Sequence, residues 1–475
     1  MDAAPANDGL WSPHRRGLTV GLVLTITLVA FEALAVSTVM PQVARELGGI
    51  ELYGWVFSSF FLASLIGIVV VGGAIDRRGL AIPFAVGLGL FATGLVVGGL
   101  APSMPVLVGA RFVQGLGAGT IPPIAYVAIG RSLPEHLRAR MFATMSTAWI
   151  LPGVLGPAIA ATIGQALSWR YVFLGLLPLI ALAGALTIGA LRAVAAAPGS
   201  EDAEADASAA DRARLPLAIQ VAAGAGLVTA GLTSGVLLPT IFLIGLGLPI
   251  GIHALRQLTP PGTLRARPVL PAAILLRGIL TFMFFGIDAF VSLVLVEWRG
   301  LSLTEAGVAL TAATIVWTAG SWVQARGSTR WPSYRFVQVG FAFALVGLAG
   351  FMLVLRQDVS WLVAIPTFAV AGFGMGLAYS PIALIVLREA TPADQGSASS
   401  ALSLTDSLGT ALGTGVTGAI VAAGIRSAGK PVPGLAVAFA VALGVGLGGL
   451  LLTGRLHRRT ALPAAGVPAR ATPRT

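Results

Sequence analysis

The sequence lacks cysteine, contains four histidines, and carries charge on only 10% of its 475 residues. Without cysteine there can be no disulfide and no thiolate metal site. The histidines (His14, His136, His253 and His457) lie near predicted loops or helix ends. A histidine-based metal centre needs several such ligands within reach of one another. We therefore expect no bound metal.

Hydrophobic residues make up 56% of the chain. A soluble domain carries about 25% charged residues, well above the fraction here. A globular core of this length cannot hide so many apolar side chains, so most of the chain must face lipid. The net charge of +11 comes without a basic patch interleaved with aromatic residues, which argues against nucleic acid binding.

Fourteen apolar segments are long enough to cross a bilayer, which takes about 20 helical residues. They lie near 18–40, 53–75, 81–100, 104–129, 141–166, 171–191, 215–232, 235–254, 271–296, 303–323, 336–355, 360–387, 397–424 and 434–454. The pair at 215–254 could instead be one re-entrant hairpin, which would leave twelve full spans.

The distribution of arginine and lysine predicts the orientation, because basic residues are enriched in cytoplasmic loops. Two of them, Arg111 and Arg277, fall inside spans, and most others lie on the side of both termini. Six lie on the opposite side: Arg45, Arg170, Arg299, Arg356, Arg426 and Lys430. We therefore expect both termini in the cytoplasm. Heavy use of alanine, glycine and arginine suggests a bacterial source, and hence the bacterial cytoplasmic (inner) membrane.

An internal repeat at an offset of 256–257 residues organises the chain. "QGLGAGT" (114–120) aligns with "AGFGMGL" (371–377), with all three glycines in register, and Glu32 falls on Asp288 at offset 256. We interpret the glycines as helix-packing residues, since small residues let helices approach closely in lipid. Two parallel repeats of six spans are typical of one class of secondary transporters.

We therefore predict an all-α polytopic membrane protein with two six-helix bundles and two inserted helices. The predicted divisions are an N-terminal tail (1–16), a first bundle (17–194), a disordered acidic linker (195–214), an inserted helix pair (215–255), a second linker (256–270), a second bundle (271–456) and a C-terminal tail (457–475).

Four stretches resemble signatures of the major facilitator superfamily, and within it of the fourteen-helix drug/proton antiporters. They are "GGAIDRRGL" (72–80), "ARFVQGLGAG" (110–119), "WILPGVLGPAIAA" (149–161) and "TLVAFEALAVSTVMPQ" (27–42). The resemblance covers nearly the whole chain. In the first stretch Gly72, Asp76, Arg77 and Gly79 match the conformational motif. The resemblance implies that the Asp76 carboxylate caps a helix near residues 396–397.

The third stretch resembles the antiporter signature and contains Pro152, Gly153, Gly156 and Pro157. The paired glycines of that signature are alanines here. The two prolines should kink the helix in any case. This resemblance favours export over import.

Three acids stand inside spans, where an ionised side chain is costly and marks function. Glu32 and Asp288 occupy equivalent places in the two halves. Asp406 lies among serines and threonines, which indicates a cavity wall and a role in substrate or proton binding; helix–helix hydrogen bonding is the alternative. Arg111 has a depth similar to that of Glu32, so we expect Glu32 to alternate between a protonated state and a pair with Arg111 or a cationic substrate. A static structural pair is the alternative. Snorkelling would be enough to explain Arg277.

Together these features predict a proton-coupled antiporter that exports hydrophobic or amphipathic compounds by alternating access. Its partners would be such a small molecule, protons and the bilayer; it would use the proton gradient without a cofactor and act as a monomer. An exporter of lipids or other endogenous amphiphiles would share every motif. A channel, a sensor or a membrane enzyme is a more remote alternative, because the spans lack a nucleophile with a histidine base.

Overall fold

The protein is described by a computed structural model that covers residues 9–13, 15–193, 201–328, 330–391 and 395–457 and, within them, contains helices and no strand. The helices are α1 (Arg16–Leu47), α2 (Tyr53–Arg78), α3 (Ala81–Gly99), α4 (Met104–Ser132), α5 (Glu135–Thr147), α6 (Ile150–Ala166), α7 (Arg170–Leu174), α8 (Leu177–Arg192), α9 (Glu201–Ser234), α10 (Leu237–Leu258), α11 (Leu270–Leu293), α12 (Leu303–Gly327), α13 (Ser333–Phe351), α14 (Ala364–Glu389), α15 (Gln395–Ala428) and α16 (Pro431–Leu452). A π-helical turn (Val294–Trp298) follows α11.

Thirteen helical segments in the described residues are long and apolar enough to cross a membrane. The remaining predicted span, 141–166, is interrupted, because α5 ends at Thr147 and α6 begins at Ile150. Pro152 explains the break: it has no N–H to donate to the carbonyl of Ala148, and its ring clashes with that carbonyl. The apolar span predicted over 141–166 is therefore divided between two helices, close to one of the two prolines that were expected to kink it.

The acidic linker also differs from expectation. Residues 194–200 lie outside the described residues, but α9 begins at Glu201 and includes the rest of the segment predicted to be disordered. Alanine is the strongest helix former, and acidic residues near a helix N-terminus interact favourably with its dipole. Both features are concentrated in residues 201–211.

The loops fall on two faces. We call the face with the start of α1 and the end of α16 the terminal face, and the opposite one the far face. The loop between α9 and α10 reaches the far face, where Arg426 Nη1 near the end of α15 donates a hydrogen bond of 3.1 Å to the Thr233 carbonyl. The inserted pair therefore runs the full height of the bundle and is not a re-entrant hairpin.

Glycines in the repeat set the distance between helices. A Cβ on Gly117 of α4 would lie 2.3 Å from the Gly87 carbonyl oxygen of α3, and one on Gly374 of α14 would lie 2.5 Å from the Gly340 carbonyl oxygen of α13. The same contact therefore occurs at equivalent places in both halves. The glycine runs are packing residues, as interpreted from the sequence.

The inserted pair packs on the outside of the seam between the halves. Val221, Ala222 and Ala225 of α9 contact a small apolar cluster that includes Leu62 of α2 and Leu408 of α15. Most of α10 is exposed, and it is held to α9 by a close approach at Gly224 and Gly251. α9 thus touches both halves, and α10 lies at the periphery.

Candidate functional site

The first charged pair lies inside the N-terminal half. The Arg111 side chain of α4 is 3% exposed, the Glu32 side chain of α1 is 1% exposed, and Arg111 Nη1 donates to Glu32 Oε1. Arg111 lies seven residues into α4, about 10 Å from the far end of that helix. The structure thus brings together Glu32 and Arg111, which were predicted to be partners because they lie at a similar depth in the membrane.

Arg111 has several further partners, and Glu32 also interacts with the Gln114 side chain. Arg111 Nε donates to the Val56 carbonyl of α2 at 3.2 Å, and Nη1 donates to Gln114 Oε1 at 2.6 Å. Its guanidinium carbon lies 4.2 Å from the centre of the Phe60 ring. Glu32 Oε2 is buried and has no hydrogen-bond partner among the described residues. The cation is therefore held by several groups, whereas the carboxylate depends on Arg111 and Gln114.

A second charged cluster lies in the C-terminal half. Arg277 Nε of α11 donates to Asp406 Oδ1 of α15 at 2.7 Å, and Arg277 Nη1 donates to the Tyr379 carbonyl of α14 at 2.6 Å. The Tyr379 hydroxyl donates to Asp406 Oδ2 at 3.0 Å. The Arg277 side chain is 8% exposed and that of Asp406 is 27% exposed. Arg277 does not snorkel, because the partly exposed Asp406 carboxylate and the Tyr379 carbonyl hold its side chain inside the bundle.

Aromatic rings surround this second cluster. Trp317 of α12 lies 5.6 Å from Tyr379, 5.5 Å from Phe284 and 6.3 Å from Phe285, measured between ring centres. Tyr126 of α4 lies within electrostatic range of Arg277 in the opposite half, yet it is 54% exposed. Protein therefore does not fill the space between the halves at this level.

Asp288 of α11 stands apart from both clusters. It is partly exposed and forms no hydrogen bond or ion pair with any residue that the structure describes. Tyr53 of α2 and Phe290 are nearby neighbours with ring centres 5.1 Å apart, and the charge of Asp288 acts on the Tyr53 hydroxyl. Asp288 is equivalent to Glu32 in the repeat, but it lacks the arginine partner that Glu32 has.

The antiporter-type residues position α6 against both halves. A Cβ on Gly156 would lie 3.7 Å from Phe31 and from Leu34 of α1, which are one residue before and two residues after Glu32. Gly153 faces Thr314 of α12, where a Cβ would approach to 2.1 Å. Pro157 contacts Gly307 of α12 in the same way, with 3.3 Å to a Cβ at that glycine. Pro152 lies in the first turn of α6, directly after the break.

The conformational motif is described only in part. Gly79 ends α2 with φ +68° and ψ −169°, a conformation that is essentially restricted to glycine. Gly72, Asp76 and Arg77 lie within α2, but their side chains fall outside what the structure describes. The helix-capping role expected for Asp76 stays a prediction.

The two halves meet closely at the far face. A Cβ on Gly54 of α2 would lie 2.7 Å from the Gly418 Cα of α15, and Ser58 of α2 donates to the Ala411 carbonyl at 2.9 Å. An ion pair joins Arg45 to Glu297 in the π-helical turn. These contacts close the far face in this conformation.

Sequence reasoning missed Gln114, Tyr379 and the pairing of Arg277 with Asp406. Gln114 follows Arg111 at the i+3 spacing that places two side chains on one helix face, a signal that was available. Arg277 and Asp406 were the remaining cation and acid in spans of the C-terminal half, and charges inside a membrane tend to pair. No sequence signal identified Tyr379.

No group of three or more His, Cys, Asp or Glu side chains in the described residues could hold a metal ion. The site instead consists of the buried Glu32–Arg111 pair, the partly exposed Arg277–Asp406 pair, an acid without a partner among the described residues, and an aromatic cluster. Such an arrangement can hold and exchange protons or cations. It offers no nucleophile with a histidine base.

Comparisons with known proteins agree with this reading of the fold. A protein of Mycobacterium tuberculosis described as a probable multidrug-efflux transporter is 26% identical over 447 residues, which cover 91% of this chain and 93% of the relative. Multidrug resistance protein 3 of Bacillus subtilis is 32% identical over 165 residues, covering 35% of this chain and 32% of the relative.

Among solved structures, that of the peptide transporter POT in complex with sulfate matches with a TM-score of 0.66 at 17% identity and covers 93% of this chain and 95% of that one. The structure of the xylose transporter XylE from E. coli matches with a TM-score of 0.61 at 13% identity and covers 93% of this chain and 97% of that one. The family model described as Major Facilitator Superfamily matches residues 22–414. The chain belongs to the major facilitator superfamily and is a multi-pass membrane transporter, not an enzyme.

Proposed function

We propose that this transporter exports hydrophobic or amphipathic small molecules in exchange for protons. It would act as a monomer in the cytoplasmic membrane of a bacterium, with the terminal face in the cytoplasm. The excess of basic residues on that face supports this orientation. The relatives named for multidrug efflux and multidrug resistance support a drug-type substrate. With the far face closed, the conformation described here would open toward the cytoplasm.

The observation that carries the proposal is the buried Glu32–Arg111 pair. Protonation of Glu32 removes its charge and releases it from Arg111. The guanidinium would still be held by the Val56 carbonyl, the Gln114 side chain and the Phe60 ring. Breaking the pair therefore does not leave the cation without partners, which lowers the cost of exchange. Glu32 is the group that can change state and Arg111 the group that stays in place.

The space between the halves offers a place for the substrate. It is bordered by the partly exposed acids Asp288 and Asp406 and by the rings of Trp317 and Tyr379. Apolar and aromatic walls with a few polar groups are typical of small-molecule sites. The acids would favour cationic amphiphiles. Binding of such a cation and binding of a proton at the acids of the site would be mutually exclusive, so that uptake of a proton favours release of the cation.

The direct test is transport by the purified protein in proteoliposomes that contain a pH-sensitive dye. A small panel of lipophilic cations added to a preformed proton gradient should each dissipate the gradient faster than in protein-free liposomes. A panel without effect, while phospholipids or fatty amphiphiles drive proton flux, would favour the export of endogenous amphiphiles instead. Substrate-driven current without proton movement would contradict antiport.

The far-face ion pair should have a small effect on alternating access. Arg45→Gln removes the exposed pair with Glu297, and exposed pairs contribute about 1 kcal/mol or less. We expect the population open at the far face to rise by no more than about fivefold. The chain has no cysteine, so Ser58→Cys, at a buried position between the halves, gives a single reporter for an impermeant maleimide.

Arg356→Gln in the same reporter background is the control, because the Arg356–Asp358 pair is also exposed, more so than the Arg45–Glu297 pair, but lies within one loop. It should leave the labelling rate unchanged. Equal labelling of Arg45→Gln and the unmodified reporter would show that the Arg45–Glu297 pair does not contribute to closure.

A further inference from the structure

A cavity of about 410 Å³ lies between the inserted pair and the two halves, apart from both charged clusters. Its walls come from α2, α9, α10, α11 and α15 and from the loop that follows α10. The volume is within the range of small-molecule sites, roughly 300–1,000 Å³. No part of the transport site described above lines it. The cavity therefore calls for an occupant of its own.

The described residues that line this cavity carry charge of one sign only. Arg214, near the terminal-face end of the membrane part of α9, is the one charged residue among its described lining residues. Those lining residues include no carboxylate, and Arg214 forms no hydrogen bond or ion pair with any residue the structure describes. Gln257 of α10 adds a polar group to the rim. Among the described residues that line it, the cavity thus presents a cation and no carboxylate, which favours an anionic occupant.

Polarity changes with depth along α15. Ser397 and Ser400 line the cavity two and five residues into the helix, about 3 to 8 Å from its start. Leu404, nine residues in and about 14 Å deep, lines the same cavity, as does the buried Leu65 of α2. The spacing from 397 to 400 and 404 keeps all three residues on one helix face. The cavity is polar at the membrane surface and apolar below it.

We propose that this cavity binds an anionic phospholipid of the surrounding membrane. The phosphate would lie against Arg214 and the serine hydroxyls, and an acyl chain would lie against Leu65 and Leu404. Basic pockets between membrane helices at such a surface are known to bind anionic headgroups. Because the walls come from both halves and from the inserted pair, the lipid would hold the three units together. The inference does not depend on which compound the protein exports.

The experiment uses the purified full-length protein in detergent, titrated with phosphatidylglycerol or with phosphatidylcholine of the same chain length. Native mass spectrometry counts the lipids that stay bound. We expect the wild type to retain phosphatidylglycerol in preference, and Arg214→Gln to lower that retention by about fivefold. Ser400→Trp, which adds bulk at the exposed rim, should lower retention without a change of charge. Arg330→Gln, an exposed arginine on the same face away from the cavity, should have no effect.

Four results would overturn the proposal. The first is equal retention of the two lipids by the wild type, and the second is undiminished retention by Arg214→Gln. The third is an equal loss in Arg330→Gln, which would indicate a general surface charge effect. Inorganic phosphate is added in a separate arm: if it displaces phosphatidylglycerol at millimolar concentration, the site binds free phosphate and the lipid assignment is wrong.

Discussion

Arg111→Met should destabilise the folded protein by about 3–5 kcal/mol, the usual cost of removing one partner from a buried ion pair. The substitution leaves the Glu32 carboxyl, which is 1% exposed, without its counter-charge, so the carboxyl must either stay ionised and unpaired or take up a proton. Glu32→Gln should be far milder, because Arg111 keeps the Val56 carbonyl, Gln114 and the Phe60 ring. Thermal unfolding followed by size-exclusion chromatography measures both variants.

The double variant Glu32→Gln/Arg111→Met separates an orphaned charge from lost packing. If the orphaned carboxylate causes the loss, neutralising it should restore most of the stability. Arg330→Gln controls for the removal of an arginine as such. An unstable Glu32→Gln beside a stable Arg111→Met would mean that the carboxylate anchors the arginine, which is the reverse of the arrangement proposed here.

The sequence was sufficient for the architecture because hydropathy and the repeat report on bulk properties. Span length needs only a count of apolar residues, and the twofold relation is visible in aligned glycines such as Gly117 and Gly374. The break before Pro152 was harder to place. A proline in a membrane helix can either kink the helix or interrupt it, and neighbouring helices decide which of the two occurs.

The sites were predictable only where depth alone identified the partner. Glu32 and Arg111 share a half and a depth, so the pair followed from counting residues along the helices. Arg277 and Asp406 are 129 residues apart and lie on helices whose rotation about their axes the sequence does not report. Hydropathy cannot show which face of α11 points toward α15. The sequence is therefore compatible with a snorkelling Arg277, and its contact with Asp406 is visible only in the structure.

The two halves consequently have different electrostatic designs. In the N-terminal half, the acid of the first helix is paired with Arg111. In the C-terminal half, Arg277 is bound to Asp406 and to the Tyr379 carbonyl, so it is not free to neutralise Asp288. This difference explains why equivalent positions in the repeat need not have equivalent roles. For the same reason, we expect a substitution of Glu32 to have a larger effect than one of Asp288.

Glu32→Gln should abolish proton-driven export, whereas Asp288→Asn should leave activity within about an order of magnitude of the wild type, roughly 1.4 kcal/mol. The amide cannot take up a proton or release one, so the Glu32 variant loses the group whose charge state opens and closes the contact with Arg111. Asp288 has no such counter-charge among the described residues, so its loss removes a polar wall of the space between the halves but no switch.

Both variants are assayed in proteoliposomes for substrate export and for proton flux across a range of external pH. Glu32→Gln should reduce both to the level of protein-free liposomes, while still binding a neutral ligand in equilibrium measurements. Asp288→Asn should keep the ratio of protons to substrate and weaken mainly the apparent affinity for cations, because it removes one of the partly exposed acids. An inactive Asp288→Asn beside a proton-coupled Glu32→Gln would reverse the two roles, and the coupling group would then lie in the C-terminal half.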